Sequence, residues 1–159
     1  ENSGPKSAKS DSFSGKAAVI CDKEFSAKNA LKTVEKVAEN LGMHVIYMKA
    51  EDHDIHTAYI SHISHITSYA LANTVLEKER EEDTIFQLAS SGFSSTVRLA
   101  KSHPEMWVPI FKQNKENVLD VLNEHISQLR KFKSALEKDN DELLEELIRN
   151  ANKIRGILK

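Results

Sequence analysis

Between Ala58 and Leu76 the sequence places Ile60, Ile63, Ile66, Tyr69, Leu71 and Val75 at positions that sweep nearly the whole circumference of a helix. A surface helix keeps one polar face, whereas a helix that is apolar all round has to be covered by several neighbours. This stretch is therefore expected at the centre of the molecule, inside a helical run from about His53 to Leu76. The chain offers few other helices to cover it. A second copy is the simplest source of the missing surface, so a homodimer is expected.

What precedes that helix follows a different pattern. Residues 1–15 are rich in Ser, Lys, Gly and Pro and read as an irregular loop. Ala17-Ala18-Val19-Ile20-Cys21 is an apolar strand-like run, and residues 26–41 carry Ala30, Leu31, Val34, Val37, Ala38 and Leu41 at helical spacing. His44 to Met48 is a second β-rich run. Two strands make a marginal sheet on their own, so this strand-helix-strand unit is expected to complete a sheet supplied by residues preceding it. The chain opens with Glu1-Asn2-Ser3-Gly4-Pro5 and is expected to be part of a longer protein. Downstream, a short helix is expected from Asp83 to Ala89. Another should be capped by Ser94 or Ser95, a broadly continuous apolar stripe runs from Pro104 to about Glu137, and a last helix follows from Asp141 to Ile157.

Charge narrows the partners. Lys and Arg number 22 against 24 Asp and Glu, which gives no basic surface for nucleic acid or an anionic membrane. No apolar run approaches the roughly 20 residues of a membrane helix. The single cysteine, Cys21, cannot form an internal disulfide, and a reducing, cytoplasmic setting is expected. A small-molecule or protein partner remains.

The residues able to carry chemistry cluster in the central helix. Spacings of three and four put His62, His65 and Tyr69 on one stripe, with Ser61 beside His65. Each imidazole alone is compatible with a hydrogen-bonded core histidine. Two of them with a serine and a tyrosine point instead to a polar pocket, in which neutral imidazole can bond a hydroxyl or carboxylate. A shared metal ion is not expected. His53 and His65 lie twelve residues apart, roughly 18 Å along a continuous helix, against ligand bonds of about 2 Å. Arg98 sits among apolar Val97, Leu99 and Ala100; it is either a surface charge or a two-pronged clamp for a carboxylate. Trp107, the only tryptophan, reads as a packing anchor that can also line a pocket.

In order and spacing, several motifs together resemble the prephenate dehydrogenase family: His53-Asp54, Ser61-His62-Ile63-Ser64-His65, Gly92-Phe93, Arg98-Leu99-Ala100, Pro104-Glu105-Met106-Trp107 and Asn114-Lys115-Glu116-Asn117. The resemblance implies a mainly α chain, a helical dimerisation domain preceded by a strand-helix-strand remnant of a Rossmann-type α/β domain. Residues 1–50 would end the nucleotide-binding domain, and residues 51–159 would form the all-helical substrate-binding and dimerisation domain. It implies oxidative decarboxylation of prephenate to 4-hydroxyphenylpyruvate by the intact enzyme in tyrosine biosynthesis. NAD or NADP would be held mainly by the preceding domain. Arogenate is the alternative substrate, and a non-catalytic dimerisation or ligand-sensing module is the alternative class. Carried over by position, Arg98 binds a substrate carboxylate, His65 lines the pocket in a supporting catalytic role, and Ser61 and His62 flank it. Trp107 approaches a site across the dimer, His53 matches a family histidine, and Glu1 matches a glutamate of an ionic network at the entrance. The principal catalytic histidine and the glycine-rich loop belong to the preceding segment, so this chain alone is expected to be inactive. Ser64 stands where the family commonly has proline, and Ser95 where some relatives carry an acidic residue.

Overall fold

Residues 16–50 fold as their alternating patterns require, in a computed structural model that describes residues 5, 8–82 and 84–157. Strand β1 (Ala17–Cys21) is followed by helix α1 (Lys28–Asn40) and strand β2 (His44–Met48). The strands pair in parallel, with Ala17 opposite His44 and Cys21 opposite Met48, as a strand-helix-strand crossover dictates. Helix α1 ends on Gly42, whose φ of +70° is the left-handed conformation that glycine adopts without steric cost. Gly42 N–H donates to the Glu39 carbonyl at 2.9 Å and Met43 N–H reaches back to Ala38 at 2.9 Å, which satisfies two carbonyls at the helix end. The pair of strands is only half covered: Val19, Ile46 and Tyr47, with Val34 and Val37 of α1, remain exposed within this chain.

Asp22 joins this unit to the helices. It adopts a left-handed conformation just past β1, donates its N–H to the Met48 carbonyl at 3.0 Å and accepts from Ala50 N–H at 3.1 Å through Oδ1. The end of β1 is thereby tied to the first turn of α2 (Ala50–Thr57), where a free N–H would otherwise need a partner.

The long helix expected from His53 to Leu76 is present and extends further at both ends, but it is not uniform. Helix α2 passes into a single widened π turn (Ala58–His62), closed by the Ile63 N–H on the Ala58 carbonyl five residues back, and continues as α3 (Ile63–Glu82). Ala58, His62, His65 and Ser68 are buried along it, whereas Ile60 is 76% exposed, so within this chain the helix is not covered all round.

Beyond it, a 3-10 turn (Ile85–Leu88) replaces the short helix expected over 83–89, of which Asp83 lies outside the described residues. Helix α4 (Ser91–Thr96) starts at Ser90, a turn earlier than caps at Ser94 or Ser95 would place it. Serines at 90, 91, 94 and 95 offered several equivalent starts, and Ser90 is the one with extended backbone. A 3-10 turn (Arg98–Lys101) leads to α5 (Pro104–Gln113), where Pro104 opens the helix, its missing N–H costing nothing in the first turn. The broadly continuous stripe expected to about Glu137 divides at Asn114, and α6 (Lys115–Glu137) follows. Helix α7 (Asp141–Asn152) is capped by Asn140, whose side chain accepts from Leu143 N–H at 3.0 Å. The chain is thus mainly helical after a strand-helix-strand segment.

Internal packing divides the residues into two units, one ending at Val118 and one beginning at Leu119. Ala38, Ala58, Trp107 and Val118 are buried in the first, and Val121 and Ala135 in the second.

Candidate functional site

In the first unit, α2, the π turn and α5 border an open cavity of about 500 Å³. The helical run contributes His53, Asp54, Thr57, Ser61 and His62, and the other wall comes from Met106, Trp107, Ile110, Gln113 and Asn114. The second set recurs at spacings of three and four, the face that α5 turns toward α2. Another hollow of about 210 Å³, lined by Val75, Ile85, Phe86, Leu88, Ala89 and Phe93, carries no ionisable side chain. Of these two, the first has the groups able to orient a polar ligand, and it holds the histidines singled out in the sequence, His53 and His62.

His62 is the most constrained polar group in that wall. It is 8% exposed and meets the rings of Trp107 and Phe111 edge-on, at centroid distances of 6.1 and 6.3 Å. Burial pushes its pKa below the usual imidazole value; the nearby Asp54 carboxylate opposes this, while His65 and His53 add to it. His62 is therefore a neutral imidazole at physiological pH. Asn114 Nδ2 lies 3.3 Å from its Nδ1 and donates to the Asp54 carbonyl at 2.7 Å.

His65, one turn on, is 8% exposed and stacks on Trp107 with ring centroids 3.4 Å apart. Its Nδ1 lies 3.0 Å from the Ser61 carbonyl. A carbonyl only accepts, so the proton sits on Nδ1. Tyr69 packs 6.2 Å from His65, which confirms the stripe read from the spacing. His65 nonetheless stands behind Trp107 and does not line the cavity. His53, about 18 Å from His65 on a straight-helix estimate, does line it, beside His62. Its ring donates to the adjacent Asp54 carboxylate at 3.0 Å.

Trp107 is buried, and its indole N–H has no partner; the Tyr69 hydroxyl and the Ser102 hydroxyl share that condition among the described residues. A buried N–H without an acceptor costs about 1–3 kcal/mol. Arg98 lies exposed on the 3-10 turn and is outside the cavity wall. Its segment is held by Ser68, which is 1% exposed: the hydroxyl donates to the Thr96 carbonyl at 3.0 Å and accepts from Ala100 N–H at 3.1 Å. Ser64, in the position where proline is common, donates to the Ile60 carbonyl at 3.1 Å. Glu1 lies outside the described residues.

The structure thus brings Ser61, His62, Trp107 and His53 to one wall, sets His65 behind it and leaves Arg98 apart. Sequence reasoning missed Thr57, Met106, Ile110 and Gln113 and gave Asn114 no role. Helical spacing from His53 and Trp107 would have found most of them. Among the described residues no three His, Cys, Asp or Glu side chains are grouped to hold a metal ion, and no helix is long and apolar enough to cross a membrane.

Comparison with known proteins gives a consistent picture. The family profile described as "Prephenate dehydrogenase, dimerization domain" matches residues 49–150. Cyclohexadienyl dehydrogenase of Zymomonas mobilis is 28% identical, over all of this chain and 55% of its own length. Prephenate dehydrogenase of Bacillus subtilis is 28% identical over 96% of this chain and 41% of its own. Among solved structures, prephenate dehydrogenase from A. aeolicus in complex with hydroxyphenyl propionate and NAD+ superposes with a TM-score of 0.89 at 30% identity, covering all of this chain and 56% of that one. Synechocystis arogenate dehydrogenase shares the fold, with a TM-score of 0.75 at 24% identity over 94% of this chain and 54% of that one. The chain spans about half the length of the relatives it matches.

Proposed function

The chain belongs to the prephenate dehydrogenase dimerization-domain family, and we propose on that footing that it supplies the substrate-side wall and the dimerising helices of an enzyme that oxidatively decarboxylates prephenate to 4-hydroxyphenylpyruvate. The observation that carries this reading is the wall itself. A buried neutral His62, the Trp107 ring and Ser61 line a cavity of about 500 Å³. Prephenate carries two carboxylates and a ring hydroxyl, and neutral donors in an apolar wall suit such oxygens. Arg98, which lies outside that wall, would take one carboxylate in two-pronged fashion only from a substrate that reaches beyond the cavity, and His65 steadies Trp107 by stacking.

The relatives' names support an oxidoreductase, and the A. aeolicus complex supports NAD as the hydride acceptor. This chain's own residues do not fit that cofactor. Its five glycines stand singly, none in a G-x-G-x-x-G loop, so the pyrophosphate cradle would come from residues other than these. Residues 1–50 belong with the nucleotide-binding domain and residues 51–159 with the substrate domain; the half-covered β1–β2 pair supports the first assignment. Exposed Leu129, Leu136, Ile148 and Ile154 support a homodimer.

The test is prephenate-dependent reduction of NAD by the intact enzyme and its Arg98→Ala variant. A charge-assisted hydrogen bond of roughly 1.5–3 kcal/mol predicts a loss of ten- to a hundredfold in kcat/KM, mainly through KM. An active wild type with an unaffected variant removes Arg98 from the site. A wild type inactive on prephenate but active on arogenate changes the substrate. Inactivity on both, with NAD and NADP, leaves a non-catalytic ligand-sensing module.

A further inference from the structure

Asn114 occupies the break between α5 and α6, off the regular helical conformation at φ −107° and ψ 31°, and every polar atom of its side chain is engaged. Its Nδ2 donates to the Asp54 carbonyl at 2.7 Å, and its Oδ1 accepts from Asn117 Nδ2, also at 2.7 Å. These contacts settle which way the amide faces. A carbonyl oxygen only accepts, so a flipped amide would put two oxygens 2.7 Å apart. The second hydrogen of the same NH2 group meets Nδ1 of His62 at 3.3 Å. A donor there needs a lone pair on Nδ1, so the ring's proton sits on Nε2.

We propose that Asn114 is a positioning residue of the cavity: by donating to His62 Nδ1 it holds the imidazole as the Nε2–H tautomer and makes it a fixed hydrogen-bond donor to an oxygen of the bound ligand. The inference rests on the reading of the cavity as the substrate wall. It separates the two histidines by role, since His65 carries its proton on Nδ1 against the Ser61 carbonyl and has the opposite polarity. It also gives a reason for the helix break, because the Asn114 amide reaches Asp54 and His62 together from the junction of two helices. The charged and titratable groups around His62 are Asp54, His65 and His53. The Asp54 carboxylate favours the imidazolium, and a neutral amide on Nδ1 favours the neutral ring.

Nitrogen spectra of the histidine-labelled intact protein test this, with His62 identified by the signals lost in His62→Gln. The expected wild-type pattern is a pyridine-type Nδ1 and a pyrrole-type Nε2. In Asn114→Asp a carboxylate faces Nδ1, so the proton should move to Nδ1 and the ring should titrate at higher pH. A pyrrole-type Nδ1 in the wild type overturns the proposal, as does a folded Asp variant with unchanged tautomer and titration. If the Asp variant does not fold, the wild-type pattern still decides. In the intact enzyme, Asn114→Ala should lower kcat/KM about tenfold, the loss of one hydrogen bond near 1.4 kcal/mol. If the spectra come out as expected while Asn114→Ala and Arg98→Ala both leave turnover unchanged, the positioning stands and the substrate reading falls.

Discussion

Replacing Ser68 by alanine removes one oxygen from a site that is 1% exposed, and the consequences can be worked through bond by bond. The hydroxyl donates to the Thr96 carbonyl at 3.0 Å, and that acceptor is left with nothing in its place. It also accepts from Ala100 N–H at 3.1 Å, but this N–H reaches the Val97 carbonyl at 3.0 Å as well and keeps a partner. The first loss is that of a part-buried hydrogen bond with an orphaned acceptor, about 1–2 kcal/mol, and the second is a shared bond of about half a kcal/mol. No cavity term enters, because alanine fills nearly the same volume. A destabilisation of about 1.5–2.5 kcal/mol is expected in urea unfolding, or a drop in Tm of roughly 4–8 °C. Ser64→Ala is the control: its hydroxyl bonds the Ile60 carbonyl within its own helix, and the change should cost less than about 0.5 kcal/mol. Arg98 lies between the two points that Ser68 fastens, so Ser68→Ala should also raise KM in the intact enzyme with kcat little changed. A loss below about 0.5 kcal/mol for Ser68→Ala would refute the view that this hydroxyl holds the Arg98 segment.

Two further changes probe the wall. Trp107→Phe keeps an aromatic ring against His65 and deletes a buried N–H that has no acceptor, so it should cost far less than the roughly 3–5 kcal/mol of Trp107→Ala, read by urea unfolding. His62 has a folded-state pKa below its unfolded value, so the unfolded chain binds more protons between the two. Stability should fall as the pH drops below about 6.5, by at most about 1.4 kcal/mol per pH unit, and level off below the folded-state pKa. His62→Gln should remove that component from a pH series of urea midpoints.

Element types were legible in the sequence because periodicity is a strong local signal. The β1–α1–β2 alternation and the His62–His65–Tyr69 stripe needed only spacing. The breaks were not legible, because neither carries a local signal and the one at Asn114 is made by distant partners. Asn114 leaves the helix where its amide meets Asp54 and His62, sixty and fifty-two residues away in sequence. The widened turn at Ala58–His62 has no proline or glycine to announce it. A straight helix puts His53 roughly 18 Å from His65, which argues against a shared metal ion and says nothing of which of them lines a cavity. The cavity is in fact built from the His53 end of the run, with His65 behind it.

That widened turn has a consequence for how the site can change. In a regular helix each residue advances the face by about 100°, so His53 and His62, nine positions apart, would point in nearly opposite directions. The extra residue accommodated between Ala58 and the Ile63 N–H slows that rotation and lets both rings reach one wall. What sets their common direction is thus the number of residues in the turn rather than their identity. Removing Ala58, Tyr59 or Ile60 would bring His53 and His62 to eight positions, about 80° apart on a regular helix, so the widened turn absorbs one residue of chain while the wall keeps its facing.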